Sequence, residues 1–185
     1  MKSLVATVAL AAIATAAGAQ QTLVPAQSEI VFTSKQMGVP VEGRFRKFDA
    51  QVAFDPKKPE AAKIGMTIEL ASVALGIAET EAELANPDWF ATRQFPQATF
   101  QSTQVKPLGA GKFQVAGKLA IKGASRDVVV PVVLAQAGAN TTATGAFVIK
   151  RLDFRIGDGD WKDTSMVAND VQVKFKLTLA GVPAL

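Results

Sequence analysis

Val171-Gln172-Val173-Lys174-Phe175-Lys176-Leu177-Thr178-Leu179 places apolar side chains at odd positions and mostly polar ones between them. A period of two describes a strand with one face in a core and the other in water. The same alternation recurs upstream in Ile64, Met66, Ile68 and Leu70, in Phe113, Val115, Gly117, Leu119 and Ile121, and in Ala143, Gly145, Phe147 and Ile149. Val39, Val41, Gly43 and Phe45 run in phase, and Phe48, Ala50, Val52 and Phe54 continue with the parity shifted by one. A β-bulge near Arg46-Lys47 absorbs that slip and bends the strand as closure of a barrel requires.

Shorter strands are expected at Glu29 to Thr33 and Ala98 to Val105. Val128 to Leu134 is apolar on both faces, which predicts cover on both sides, while Pro131 demotes the run to an edge or a bulge. Turn residues separate the runs: Asp55 to Pro59, Pro107 to Gly111, Gly123 to Ser125, Gly138 to Asn140 and Gly157 to Asp160. Only Glu79 to Ala85 reads as helical, and Asn86-Pro87 stops it. Roughly eight strands at hairpin spacing give an all-β fold, an antiparallel barrel or sandwich with one short helical segment.

The N-terminus reads as an export signal over residues 1–19. Lys2 is followed by a short apolar run from Leu4 to Ala17, and Ala17-Gly18-Ala19 is a small-x-small cleavage pattern. The domain is then 20–185, one core's worth of chain, and the alanine-rich leader points to a bacterial periplasm. There is no cysteine, so disulfides and thiol chemistry are excluded. There is also no histidine, which removes the commonest nitrogen ligand and the side chain that titrates nearest neutrality. Twenty basic residues, one of them Lys2, stand against sixteen acidic ones with no basic block, an argument against nucleic acid as a partner.

No nucleophile, metalloprotease, nucleotide or dinucleotide motif is present, so neither an enzyme nor a cofactor is expected. Glu79, Glu81 and Glu83 read as a solvated helix surface, and Asp158-Gly159-Asp160 lacks the downstream glutamate of a calcium loop. The informative set is aromatic: Phe32, Phe45, Phe54, Trp89, Phe90, Phe95, Phe100, Phe113, Phe147, Phe154 and Trp161, on inward parities or beside turns. Small residues on the same parities, Gly43, Ala50, Gly117, Ala143 and Gly145, are expected to leave a channel for one slender ligand.

These stretches resemble the YceI family of exported, lipocalin-like proteins. The matching residues are Ser28 to Phe32, Met37-Gly38-Val39, Gly43-Arg44-Phe45, Phe48-Asp49, Phe54-Asp55-Pro56 and Asn86 to Phe90, followed by Phe95 to Ser102, Gly117-Lys118-Leu119, Ile121-Lys122-Gly123 and Arg151 to Gly157. The resemblance implies an eight-stranded antiparallel barrel, capped at one end by the helical segment, whose lumen holds a long isoprenoid chain of quinone or polyprenyl type. Family members often carry histidine where this chain has Gln36, Glu83 and Lys122, and an Arg-Asp pair common ahead of the helix is missing.

Parity and resemblance together nominate Phe32, Phe45, Phe100, Phe113 and Phe147 as tunnel lining and Trp89 and Phe90 as neighbours of a lid. Arg44 or Arg155 is nominated for a polar or phosphorylated head. The expected partner is an isoprenoid lipid, with room for transient membrane contact and a homodimer. The alternative is a structural or stress-related interaction protein with a packed, empty-handed barrel.

Overall fold

The computed structural model describes residues 21–185. The export signal therefore lies outside the described residues.

Strands β1 (Gln21–Leu23) and β2 (Glu29–Gln36) form one interrupted strand, as do β3 (Val39–Phe45) with β4 (Phe48–Ala53), and β5 (Lys63–Glu69) with β6 (Val73–Ala74). After helix α1 (Ala78–Leu84) come β7 (Gln97–Gly109), β8 (Lys112–Ile121), β9 (Ala124–Ala137), β10 (Asn140–Lys150) and β11 (Asp170–Ala180). Each pairs antiparallel with its neighbours in the chain, and β11 returns to β1 and β2. The result is a closed eight-stranded up-and-down barrel with one short helix, as the alternation and the family resemblance predict.

The parity slip at Arg46-Lys47 is real and is matched across the ladder. β3 and β4 are separated by those two residues, and the facing strand interrupts itself with a 3-10 turn at Leu70–Ser72. Arg46 N donates to Ser72 O (3.1 Å), Lys47 N donates to Ser72 Oγ (3.0 Å), and Ser72 Oγ donates to Glu69 O (2.6 Å). Both strands turn the same corner with their backbone groups satisfied, so the sheet bends without an orphaned donor.

Pro131 acts where a missing N–H matters. β9 pairs with β8 through Ala124 to Val133, yet its ladder to β10 runs only from Ala137↔Asn140 to Val132↔Gly145. From Pro131 back to Ala124, β9 has no ladder partner on β10, an edge inside a closed barrel. The expected cover on both faces of this strand is not found: Val130 is buried, whereas Val129 and Val133 are exposed on the outer wall. An apolar run sets β propensity as well as burial, and here the outer valines serve only the first.

Helix α1 lies one residue upstream of its expected start and lacks a side-chain N-cap. Its entry is fixed by Glu81, whose carboxylate accepts from Leu75 N (2.8 Å) and Gly76 N (2.9 Å). Those two N–H donors hold its pKa below the ordinary glutamate value. Asn86 closes the other end, its N–H donating to Glu83 O and its side-chain amide to Glu83 Oε2 (2.9 Å).

Candidate functional site

Inward side chains do not fill the barrel. A deep chamber of about 160 Å³ is walled by Val52, Phe54, Met66, Phe113, Val115 and Leu177 among others, and among the described residues Thr141 is the one polar residue on its wall. A mouth chamber of about 210 Å³ lies beneath α1, where Leu84 of the helix meets Phe32, Phe45, Trp89, Phe90 and Trp161. Ile30, Ile68, Leu119, Phe147 and Val173 line both, so the two chambers abut. A single water needs only about 10–15 Å³ of such space, so the lumen is far larger than a packing defect.

The inward glycines keep the lumen open in a way that the sequence does not announce. They are not gaps. Gly43 seats the ring of Phe32, its cross-strand partner, and Gly145 seats Phe175 in the same manner. Gly117 seats Phe100, and a Cβ there would also stand 2.5 Å from Gln101 O. With no Cβ beneath it, each ring lies back against the barrel wall instead of crossing the lumen. Phe32 then reaches Phe45 (centroids 5.6 Å apart), Phe45 reaches Phe90 (6.1 Å), and Phe54 meets Phe113 edge-on at 5.3 Å.

Of the residues nominated from sequence, Phe100 and Phe113 line the deep chamber, Phe32, Phe45, Trp89 and Phe90 line the mouth chamber, and Phe147 lines both. Arg44 and Arg155 lie elsewhere. Arg44 is exposed on the outer face of β3, between inward-facing Gly43 and Phe45. Arg155 is exposed in a left-handed turn (φ 55°), where its guanidinium donates to Lys122 O (3.0 Å).

The cation on the mouth wall is Arg151, which sequence reasoning did not single out. It is 1% exposed and has no carboxylate partner among the described residues. Instead it donates to five carbonyls: Nε to Ala168 O (3.1 Å), one terminal nitrogen to Ile156 O (2.9 Å) and Gly157 O (3.1 Å), the other to Trp161 O (2.6 Å) and Val167 O (2.7 Å). Burial pushes its pKa down, but those carbonyl dipoles favour the charged form. Arg151 thereby pins the 151–168 segment, which carries Trp161 and Val167 to the mouth. Lys122 is also buried, yet it does not line the chambers. Its Nζ donates to Arg155 O (2.6 Å) and lies 3.7 Å from Asp158, and desolvation lowers its pKa against the pull of that carboxylate. Phe175 lines the deep chamber, and its inward parity in the quoted strand is the signal that reveals it.

The YceI-like domain family matches residues 21–179. The chain belongs to the YceI family. It is 38% identical over 88 residues to a UPF0312 protein of Azotobacter vinelandii, covering 48% of this chain and 46% of that one. To the YceI protein of Escherichia coli O157:H7 it is 38% identical over 86 residues, covering 46% and 44%. These alignments span about half the length of the relatives. Among solved YceI-type barrels, BcnA of Burkholderia cenocepacia superposes with a TM-score of 0.82 at 48% identity, covering 84% of this chain and 98% of that one. A polyisoprenoid binding domain from Saccharophagus degradans, implicated in plant cell wall breakdown, shares the fold at a TM-score of 0.71 and 18% identity, with coverages of 86% and 97%.

Proposed function

We propose that the chain is an exported carrier that holds the tail of a long isoprenoid lipid, of quinone or polyprenyl type, in the barrel lumen and moves it across the periplasm. The observation that carries this reading is the lumen itself: two abutting chambers with almost entirely apolar walls, kept open by rings folded back onto glycines. A small eight-stranded barrel either fills with side chains or holds one small ligand, and this interior belongs to the second kind. Among the described residues no titratable group lines the deep chamber, which favours binding over catalysis. The description of a structural neighbour as a polyisoprenoid binding domain supports the same class of guest.

Each methylene of such a tail prefers an apolar surrounding by about 0.8 kcal/mol, so the free lipid scarcely enters water. A membrane is as apolar as the lumen, however, and the net preference for protein over bilayer rests on shape, tail entropy and the head group. That balance suits exchange more than storage. The rim of the mouth supports loading at a membrane surface. Met37 in the β2–β3 turn, Val39 at the start of β3, Ile77 ahead of α1 and Met166 are all exposed there, and Met37 N donates to Met166 O (2.8 Å).

The test is organic extraction and mass spectrometry of protein exported to a bacterial periplasm and purified without detergent. A near-stoichiometric isoprenoid lipid is expected. A lumen found empty after repeated gentle preparations overturns the carrier.

A further inference from the structure

The chain has no cysteine, histidine or tyrosine, so its readily oxidised side chains are four methionines and two tryptophans. Met1 lies outside the described residues. Met66 is 9% exposed and faces the deep chamber, Trp89 is buried, and Trp161 is half-buried against it in the mouth chamber. Met37 and Met166, by contrast, are 73% and 45% exposed.

These two methionines, far apart in sequence, meet at one place. Gln36 bridges Val167 and both line the mouth chamber; one residue further along each segment, Met37 N donates to Met166 O (2.8 Å). The interior gives no reason for a methionine at either position, since neither belongs to a core cluster. Met37 and Gly38 both have positive φ (47° and 81°) at the tip of the two-residue hairpin between β2 and β3. Asparagine or glycine suits the first position of such a turn, so a methionine there is held against its backbone preference with its side chain in the open. An apolar group in that position gains by transfer to hydrocarbon, and the hydrocarbon nearest the mouth of a lipid carrier is the bilayer that supplies its guest.

A thioether is also a two-electron reductant. A peroxide passes one oxygen to the sulfur as its O–O bond breaks, and the other oxygen leaves with its proton as water; the sulfur loses two electrons and the peroxide gains them. The sulfoxide so formed is polar, and a side chain that favoured the bilayer then favours water.

We propose that Met37 and Met166 form an oxidation site on the rim, and that conversion of their thioethers to sulfoxides by peroxide releases the barrel from the membrane surface at which it loads. This rests on the carrier reading with its loading at a membrane, and adds how that contact is ended.

The experiment treats the purified protein with hydrogen peroxide, maps the products by peptide mass spectrometry, and reads binding to phosphatidylethanolamine–phosphatidylglycerol vesicles by flotation. Sulfoxide is expected at Met37 and Met166 well before Met66, with vesicle binding weakened roughly tenfold. Methionine sulfoxide reductases with dithiothreitol should restore binding, and the dithiol has no disulfide in this chain to disturb. Met37→Leu combined with Met166→Leu keeps the apolar volume without the sulfur, so it should bind as the parent does and ignore peroxide. Oxidation of Met66 as fast as the rim pair overturns the inference, as does complete rim oxidation with unchanged binding. A leucine variant that loses binding on peroxide just as the parent does places the effect elsewhere and also overturns it. Untreated protein that ignores the vesicles overturns the inference too, and whether that protein still yields lipid on extraction decides the carrier reading separately.

Discussion

Ala143→Leu separates an open lumen from a solid core by the sign of its effect. Ala143 lies on β10 between Leu134 of β9 and Leu177 of β11, is 8% exposed, and faces the deep chamber of about 160 Å³. Leucine adds three carbons. At about 0.8 kcal/mol per buried methylene the upper limit is about 2.4 kcal/mol of added stability, and a compact unfolded state lowers this to about 1–2 kcal/mol. In a close-packed interior the same insertion costs about 1–3 kcal/mol. With Tm moving about 2–4 °C per kcal/mol in a chain of this size, the two cases lie several degrees apart on opposite sides of the parent. The assay is urea and thermal unfolding of delipidated protein, with lipid extracted in parallel from both proteins as purified. The variant should be more stable when empty and should carry less lipid. A destabilised variant that still loads fully refutes the reasoning, because it means that the chamber is neither vacant nor used.

Arg151→Met strands five buried carbonyls and should cost at least about 3 kcal/mol, read as a large drop in the urea midpoint and a mouth segment open to protease between 151 and 168. Glu81 sets a pH dependence for α1. Its folded-state pKa is lowered by the Leu75 and Gly76 N–H donors, so the latch is complete above the usual glutamate range and is lost as pH falls through that lowered value. Amide exchange at 76–85, corrected for intrinsic rates, should therefore rise on acidification in the parent, whereas Glu81→Ala should exchange fast already at neutral pH.

The strands were legible because a half-buried sheet writes its two faces into alternate residues. That rule located the bulge at Arg46-Lys47 from a single slip in parity, and it places Phe175 in the lumen. It also sets Arg44 outside, since the register that turns Gly43 and Phe45 inward points the residue between them outward. What the alternation does not carry is the pairing across strands. That Gly43 lies beneath Phe32 and Gly145 beneath Phe175 follows from register, which the turns and closure set and which no one strand encodes. Arg151 was opaque for a similar reason: its five acceptors are backbone carbonyls, identical in every residue, and only the fold of 156–168 brings them together. The run at Val128 to Leu134 misled because valine answers to strand geometry as readily as to burial.

Closure of this barrel ties its function to the end of the chain. Ser28 Oγ accepts from Thr178 N (2.9 Å), Thr178 Oγ1 donates to Gln27 O (3.0 Å), and Val24 N donates to Thr178 O (2.8 Å), joining residues about 150 positions apart. Every earlier pairing is between neighbours and can zip up as the polypeptide emerges, but a meander missing its last strand is an open, curled ribbon with no inside. Joining such distant ends adds only a slowly growing entropic cost, so length is little obstacle to the final step. The greasy compartment comes into being only with that step, so a nascent or C-terminally clipped molecule has no enclosed lumen.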